Sequence, residues 1–154
     1  MSVVAPTDAE LLSELRALLG GESDPVANAA NTAALIFARV PRLNWAGFYF
    51  LQSDTLVLGP FQGQPACTRI KLGHGVCGTA ASRNETILVA DVHEFPGHIV
   101  CDTASLSEIV VPFSVAGKFY GVLDIDSPER ARFGPSEQAL MEAVAALYVE
   151  ACEG

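Results

Sequence analysis

Two apolar stretches, residues 109–115 and 118–126, are separated only by Ala116-Gly117. A two-residue connection of this kind joins antiparallel strands, so the pair is expected to form a β-hairpin. Its second strand ends in Gly121-Val122-Leu123-Asp124-Ile125-Asp126. Alternation with period two puts Leu123 and Ile125 on one face and both aspartates on the other. Two carboxylates inside an apolar strand cost free energy unless something satisfies them, either a local backbone amide or a cationic group of a ligand. Glu108 begins the neighbouring strand. In the strict register set by the turn, 107 pairs with 126 and 109 with 124, which points Glu108 away from the aspartates. One extra residue at a β-bulge would bring it onto their face, and Pro112, which cannot donate to the ladder, is the expected place.

The rest of the chain fits elements around this hairpin. Residues 8–19 carry apolar side chains at 11, 12, 15, 18 and 19, a helical face that Gly20-Gly21 ends. Asp24-Pro25 offers a capping side chain before a proline at the first helical position, which predicts a helix from 25 to about 39. Trp45, Gly47, Tyr49 and Leu51 alternate with Ala46, Phe48 and Phe50, a strand that turns at Ser53-Asp54 into a partner at 55–58. A strand at 68–72, a short helix at 76–83, a strand at 86–90 and a loop from 91 to 101 follow. A final helix runs from Phe133-Gly134-Pro135-Ser136 to about 151. Helices at both ends around a mostly antiparallel sheet predict an α+β fold, with the helices on one face of the sheet and one domain spanning 1–154.

Composition narrows the function. The net charge is −9, with 18 acidic and 9 basic residues, and no lysine or arginine cluster reverses it locally, so a nucleic-acid partner is not expected. No apolar run approaches the ~18 residues that cross a bilayer, and the first ten residues lack the basic and apolar regions of a signal peptide. A cytoplasmic location without membrane attachment is therefore expected. Half of the residues are apolar, a surplus that fits either a large core or a face covered by a partner subunit.

Four cysteines in a reducing compartment point to chemistry or burial rather than structural disulfides. Cys67, Cys77 and Cys101 each lie in or beside a loop among glycine, proline and polar residues, whereas Cys152 sits in the last turn of the final helix between Glu150 and Glu153. Three loop thiols favour redox chemistry, because a nucleophile and a resolving thiol are the minimum for a disulfide cycle. His93, His98 and Cys101, with His74 or Cys77, could suggest a metal. No cysteines form the C-x-x-C pairs of structural zinc, so no metal is expected. Gly73-His74-Gly75-Val76-Cys77-Gly78 matches G-x-G-x-x-G, but the following helix is too short for a dinucleotide crossover. Its glycines are expected to turn the backbone at a site wall. Trp45 and Tyr49 share one strand face. Beside an acidic cluster, such rings can wall a site for a thioether or a cation.

These segments resemble the GAF-domain free methionine-(R)-sulfoxide reductases from about Leu15 to Leu147. The resemblance is carried by Asn44-Trp45-Ala46-Gly47-Phe48-Tyr49, Ala66-Cys67-Thr68-Arg69-Ile70, Gly75-Val76-Cys77-Gly78-Thr79-Ala80, Phe95-Pro96-Gly97-His98-Ile99 with Cys101-Asp102, Ser107-Glu108-Ile109-Val110-Val111-Pro112 and Leu123-Asp124-Ile125-Asp126-Ser127-Pro128. The family separates its cysteines by ten and then twenty-four positions, and Cys67, Cys77 and Cys101 keep both spacings. By resemblance, Cys101 is the nucleophile, Cys67 its usual disulfide partner and Cys77 a secondary thiol. Glu108, Asp124 and Asp126 match the acidic substrate-binding residues, and Trp45 and Tyr49 match the pocket wall. The departing oxygen needs a proton from a positioned carboxylic acid, and Glu108 or Asp126 is the expected donor. The resemblance further implies a GAF fold, a homodimer, free methionine sulfoxide as substrate, no bound cofactor and thioredoxin as external reductant. His74 departs from the family pattern, where a basic residue is more usual, and Cys152 has no family role. The alternative is a non-enzymatic GAF redox sensor that binds a small ligand.

Overall fold

The computed structural model describes residues 4–99 and 104–154. α1 (Asp8–Leu19) starts at a reciprocal capping box in which the Thr7 hydroxyl accepts from the Glu10 amide and the Glu10 carboxylate accepts from the Thr7 amide. α2 (Pro25–Arg39) is capped by Asp24, which accepts from the Ala27 amide at 2.8 Å. β1 (Trp45–Gln52), β2 (Thr55–Gly63) and β3 (Arg69–Lys71) follow. Then come α3 (Gly75–Arg83), β4 (Ile87–Val89), β5 (Ser107–Val115), β6 (Lys118–Ser127) and α4 (Pro135–Glu153). A single 3-10 turn, Val92–Glu94, lies in the segment expected to be loop.

The six strands form one sheet in the order β3-β2-β1-β6-β5-β4, with every adjacent pair antiparallel. β2 is longer than expected. Gly59-Pro60, a pair that normally stops a strand, is absorbed by a register shift opposite Gly47 and Tyr49. At the β5–β6 turn both Ala116 and Gly117 have positive φ, 52° and 79°, the backbone that a tight two-residue hairpin requires.

Alternation along β1, β5 and β6 divides the molecule. Ala46, Phe48, Ile109, Val111, Leu123 and Ile125 face α1, α2 and α4 and form the larger core with Leu15, Ile36, Met141 and Tyr148. Trp45, Tyr49, Val110 and Val122 face the other way, toward Val76, Cys77 and Ala80 of α3. The expectation that all helices share one face fails for α3. Its glycines explain why it can lie close on the far side: a Cβ at Gly78 would stand 2.5 Å from the Lys71 carbonyl oxygen.

Candidate active site

The site lies on the α3 face, where the central strands align their polar residues. Asp126 is paired with Glu108 on one side and Trp45 on the other, so three functional side chains stand abreast across β5, β6 and β1. Asp124 sits between Val110 and Gly47. The register slip that brings Glu108 onto this face exists, but it is not at Pro112. The ladder steps from Phe113↔Gly121 to Ser114↔Phe119, leaving Tyr120 of β6 as the extra residue, while Pro112 pairs regularly with Val122. Proline is tolerated there because β4 ends opposite Val110, so the outer edge of β5 beyond it asks for no donor.

Trp45, Tyr49, Cys77, Glu108, Asp124 and Asp126 line one pocket, closed by Ala66, Gly75, Val76, His98, Ile99 and Ser105. All six named first are buried, the three carboxylates to between 6% and 9% exposure. Trp45 and Tyr49 stack with centroids 6.0 Å apart. Gly73 and Gly75 have φ of 84° and 65°, so the glycine motif does turn the backbone at the site wall, as expected.

The electrostatics follow from this crowding. Among the described residues no lysine or arginine lines the pocket. Burial, reinforced by the Asp124 and Asp126 charges, holds the Glu108 carboxyl well above its ordinary range. Asp124 is raised by burial, an effect that hydrogen bonds from Glu108 and Cys77 partly offset. Cys77 lies with its sulfur 4.0 Å from Glu108 Oε2, and burial together with the neighbouring carboxylates pushes its thiol up. Burial lowers His98, so it offers no positive charge near neutral pH. Asp124 Oδ1 is buried with no hydrogen-bond partner. An acceptor left in this way is a place for a donor that arrives with a ligand.

The fold has close counterparts. The GAF domain family matches residues 10–151. The free methionine-R-sulfoxide reductase of Escherichia coli is 54% identical over 140 residues, covering 90% of this chain and 85% of that protein. The structure of fRMsr of Staphylococcus aureus in complex with substrate superposes with a TM-score of 0.91 at 42% identity, covering 98% of this chain and 99% of that one. The free methionine-R-sulfoxide reductase from Neisseria meningitidis in complex with its substrate gives 0.93 at 40% identity, with coverage of 99% and 95%.

The chain belongs to the GAF-domain free methionine-R-sulfoxide reductases.

Within this reductase family frame the cysteines separate. Cys67 is disulfide-bonded, whereas Cys77 and Cys152 are free thiols. Cys152 packs against the core on the helix face, on the opposite side of the sheet from the pocket. Cys101 and Asp102 lie outside the described residues. Among the described residues the rings of His93 and His98 lie with centroids 6.4 Å apart, but no histidine joins a group of possible metal ligands. Among the described residues, only Cys77, Glu108 and Asp124 bring possible ligand atoms within 4.8 Å of one another. His93 is instead paired with Asp91 at 3.0 Å on the surface.

Among the described lining residues, Ser105 was not singled out in the sequence, and Ile99 was quoted there without a role. Ser105 accepts from Asn44 Nδ2 at 2.9 Å and lies in the segment before β5, where no periodicity marks it. Ile99, 36% exposed, covers Gly75 from the loop expected to carry Cys101. No helix among the described residues is long and apolar enough to cross a membrane.

Proposed function

We propose that this chain reduces free L-methionine-(R)-sulfoxide to L-methionine. The observation that carries the reading is the pocket itself: three buried carboxylates, one with an unpartnered oxygen, beside two stacked aromatic rings and without a lysine or arginine among the described lining residues. The α-ammonium of a free amino acid supplies the missing charge and donors, and the rings receive the thioether end. A methionine within a polypeptide has no ammonium and would leave the acids unpaired.

The Cys101 thiolate attacks the electrophilic sulfoxide sulfur. Glu108, kept protonated by burial and by its two aspartate neighbours, delivers a proton to the oxygen. In the resulting adduct the protonated oxygen passes from the substrate sulfur to the Cys101 sulfur as the bond between the two sulfurs breaks. The electron pair of that bond stays on the substrate, so methionine departs and Cys101 is left as a sulfenic acid. Cys67 then condenses with it to a disulfide and releases water. The disulfide-bonded state of Cys67 supports a redox role for that cysteine. Cys77, buried and pushed up in pKa, suits a thiol that donates to Glu108 better than it suits a nucleophile. A thioredoxin-type dithiol returns both cysteines to thiols by exchange, so the electrons come from thiols and no bound cofactor enters. The reading extends to a homodimer, in which the exposed Leu18 and Val26 of α1 and α2 could be covered, and to a cytoplasmic location.

The test is NADPH oxidation coupled through thioredoxin and its reductase, with the free R sulfoxide, the free S sulfoxide and a sulfoxide-containing peptide. Turnover with the free R epimer alone, lost in Cys101→Ser, is the expected result. Absence of turnover with all three overturns the reading and favours a ligand-binding sensor.

A further inference from the structure

The segment Gln64–Cys67 joins β2 to β3 without regular structure, yet it carries the thiol that must meet Cys101. Its two ends are fixed by the sheet. At the start, Gly63 has a φ of 126° and lies so close to β1 that a Cβ would stand 2.6 Å from the Asn44 carbonyl oxygen. At the end, the Leu58 amide donates to the Thr68 carbonyl at 2.9 Å. Between these points two side chains of β1 reach up to it. Trp45 Nε1 donates to the Gln64 carbonyl at 3.1 Å, and the Tyr49 hydroxyl donates to the Cys67 carbonyl at 2.8 Å. Both donors come from rings that are 2% exposed and stack on each other, so neither can swing away.

From this geometry we infer that Tyr49, helped by Trp45, is a positioning residue for the resolving step: its hydroxyl holds the backbone of Cys67 where that thiol reaches the sulfenic acid. The inference rests on the reaction proposed above and adds a role that a pocket wall alone does not have. The step it serves is balanced as written. The Cys67 thiolate attacks the sulfenic sulfur of Cys101, the new S–S bond replaces the S–O bond, and hydroxide leaves and takes a proton as water. A thiol held by its own peptide carbonyl has little freedom to miss, and misplacement by about an ångström can slow such a step about a hundredfold. Burial first, then the Asp124 charge, pushes the Tyr49 phenol up, so its O–H remains a donor throughout the working range.

The test uses Tyr49→Phe, which keeps the ring and removes one hydroxyl, with Trp45→Phe as a second variant that cuts the other fastener. Each full-length reduced protein is mixed with one equivalent of hydrogen peroxide, which makes the sulfenic acid without using the substrate pocket. Dimedone trapping and mass spectrometry then follow the Cys101 adduct and the Cys67–Cys101 disulfide over time. Disulfide formation about tenfold slower than in the parent, with accumulation of the dimedone adduct in Tyr49→Phe, is the expected result. The same split should appear when methionine sulfoxide is the oxidant, methionine release falling less than disulfide formation. Parent-like disulfide formation in both variants overturns the inference, as does an equal loss in the two sulfoxide steps combined with a normal peroxide arm. A parent protein that forms the disulfide with peroxide but makes no methionine from the sulfoxide would sink the proposed reaction and leave the fastening role standing.

Discussion

The two faces of the central sheet are built from the same strands and could hardly differ more. On β6, Leu123 and Ile125 point into an apolar core closed by three helices, both fully buried. Their immediate neighbours Asp124 and Asp126 are almost as buried, yet face Glu108, Cys77 and two aromatic rings. The helix face gains from burial, because each apolar side chain removed from water contributes roughly 1.5–3 kcal/mol. The three carboxylates on the pocket face lose by it, because carboxylates taken from water without a cation favour their protonated forms. A sheet can carry both only because one face supplies stability while the other, one residue along, holds groups in an unfavourable state until a ligand relieves them.

That contrast is exposed to direct attack. The largest effect should come from Glu108→Ala or Asp126→Ala, with kcat/KM down roughly 10²–10⁴-fold and thermal unfolding at or above the parent midpoint. Steady-state kinetics and circular dichroism on one preparation measure both. A lowered midpoint with retained activity would reverse the roles assigned to the two faces. Moving one residue along the same strand should invert the outcome. Leu123→Ala or Ile125→Ala should cost about 2–5 kcal/mol in urea unfolding, while the folded fraction retains catalysis. At the boundary, Gly121 lies where a Cβ would stand 2.2 Å from the Tyr49 carbonyl oxygen. Gly121→Ala should therefore cost about 1–3 kcal/mol and disturb the slip that aligns Glu108.

The smallest effect is a pH dependence, and its sign follows from linkage. Glu108 and Asp124 hold their protons in the folded state above their ordinary values of 4.5 and 3.8, so the folded chain binds more protons than the unfolded one. The stability they contribute is fully present below those values and is lost as pH rises through the raised folded values. Each group can contribute at most about 1.4 kcal/mol per pH unit. Urea unfolding from pH 4 to 8 should show a flatter decline in Asp124→Asn than in the parent. A parent-like slope in that variant would mean that the carboxylate is not strained.

How much of this was legible in the sequence varies with the range of the cause. The capped helices and the hairpin turn are local, and α1, α2 and the Ala116-Gly117 connection stand where local signals put them. The sharing of one face by Asp124 and Asp126 needs only period two. The need for a slip at Glu108 was also visible, but its position was not. Proline marks where a ladder cannot donate, yet whether donation is needed depends on where β4 stops, which is a property of the assembled sheet. The length of β2 was hidden for the same reason, since Gly59-Pro60 is a break only until a neighbouring strand absorbs it. Ser105 enters the pocket from irregular backbone, where neither periodicity nor chemistry singles out one serine. Cys101 was singled out as the nucleophile by the family resemblance, whose cysteine spacing it keeps, and it lies outside the described residues.

The most direct test of the central claim, that the buried carboxylates await an ammonium, is calorimetric binding to the reduced Cys101→Ser protein. Free L-methionine-(R)-sulfoxide and its N-acetyl derivative differ mainly in that one charge. The free amino acid should bind, and the acetylated compound should bind about a hundredfold more weakly or not at all. Equal affinity for the two would contradict the account.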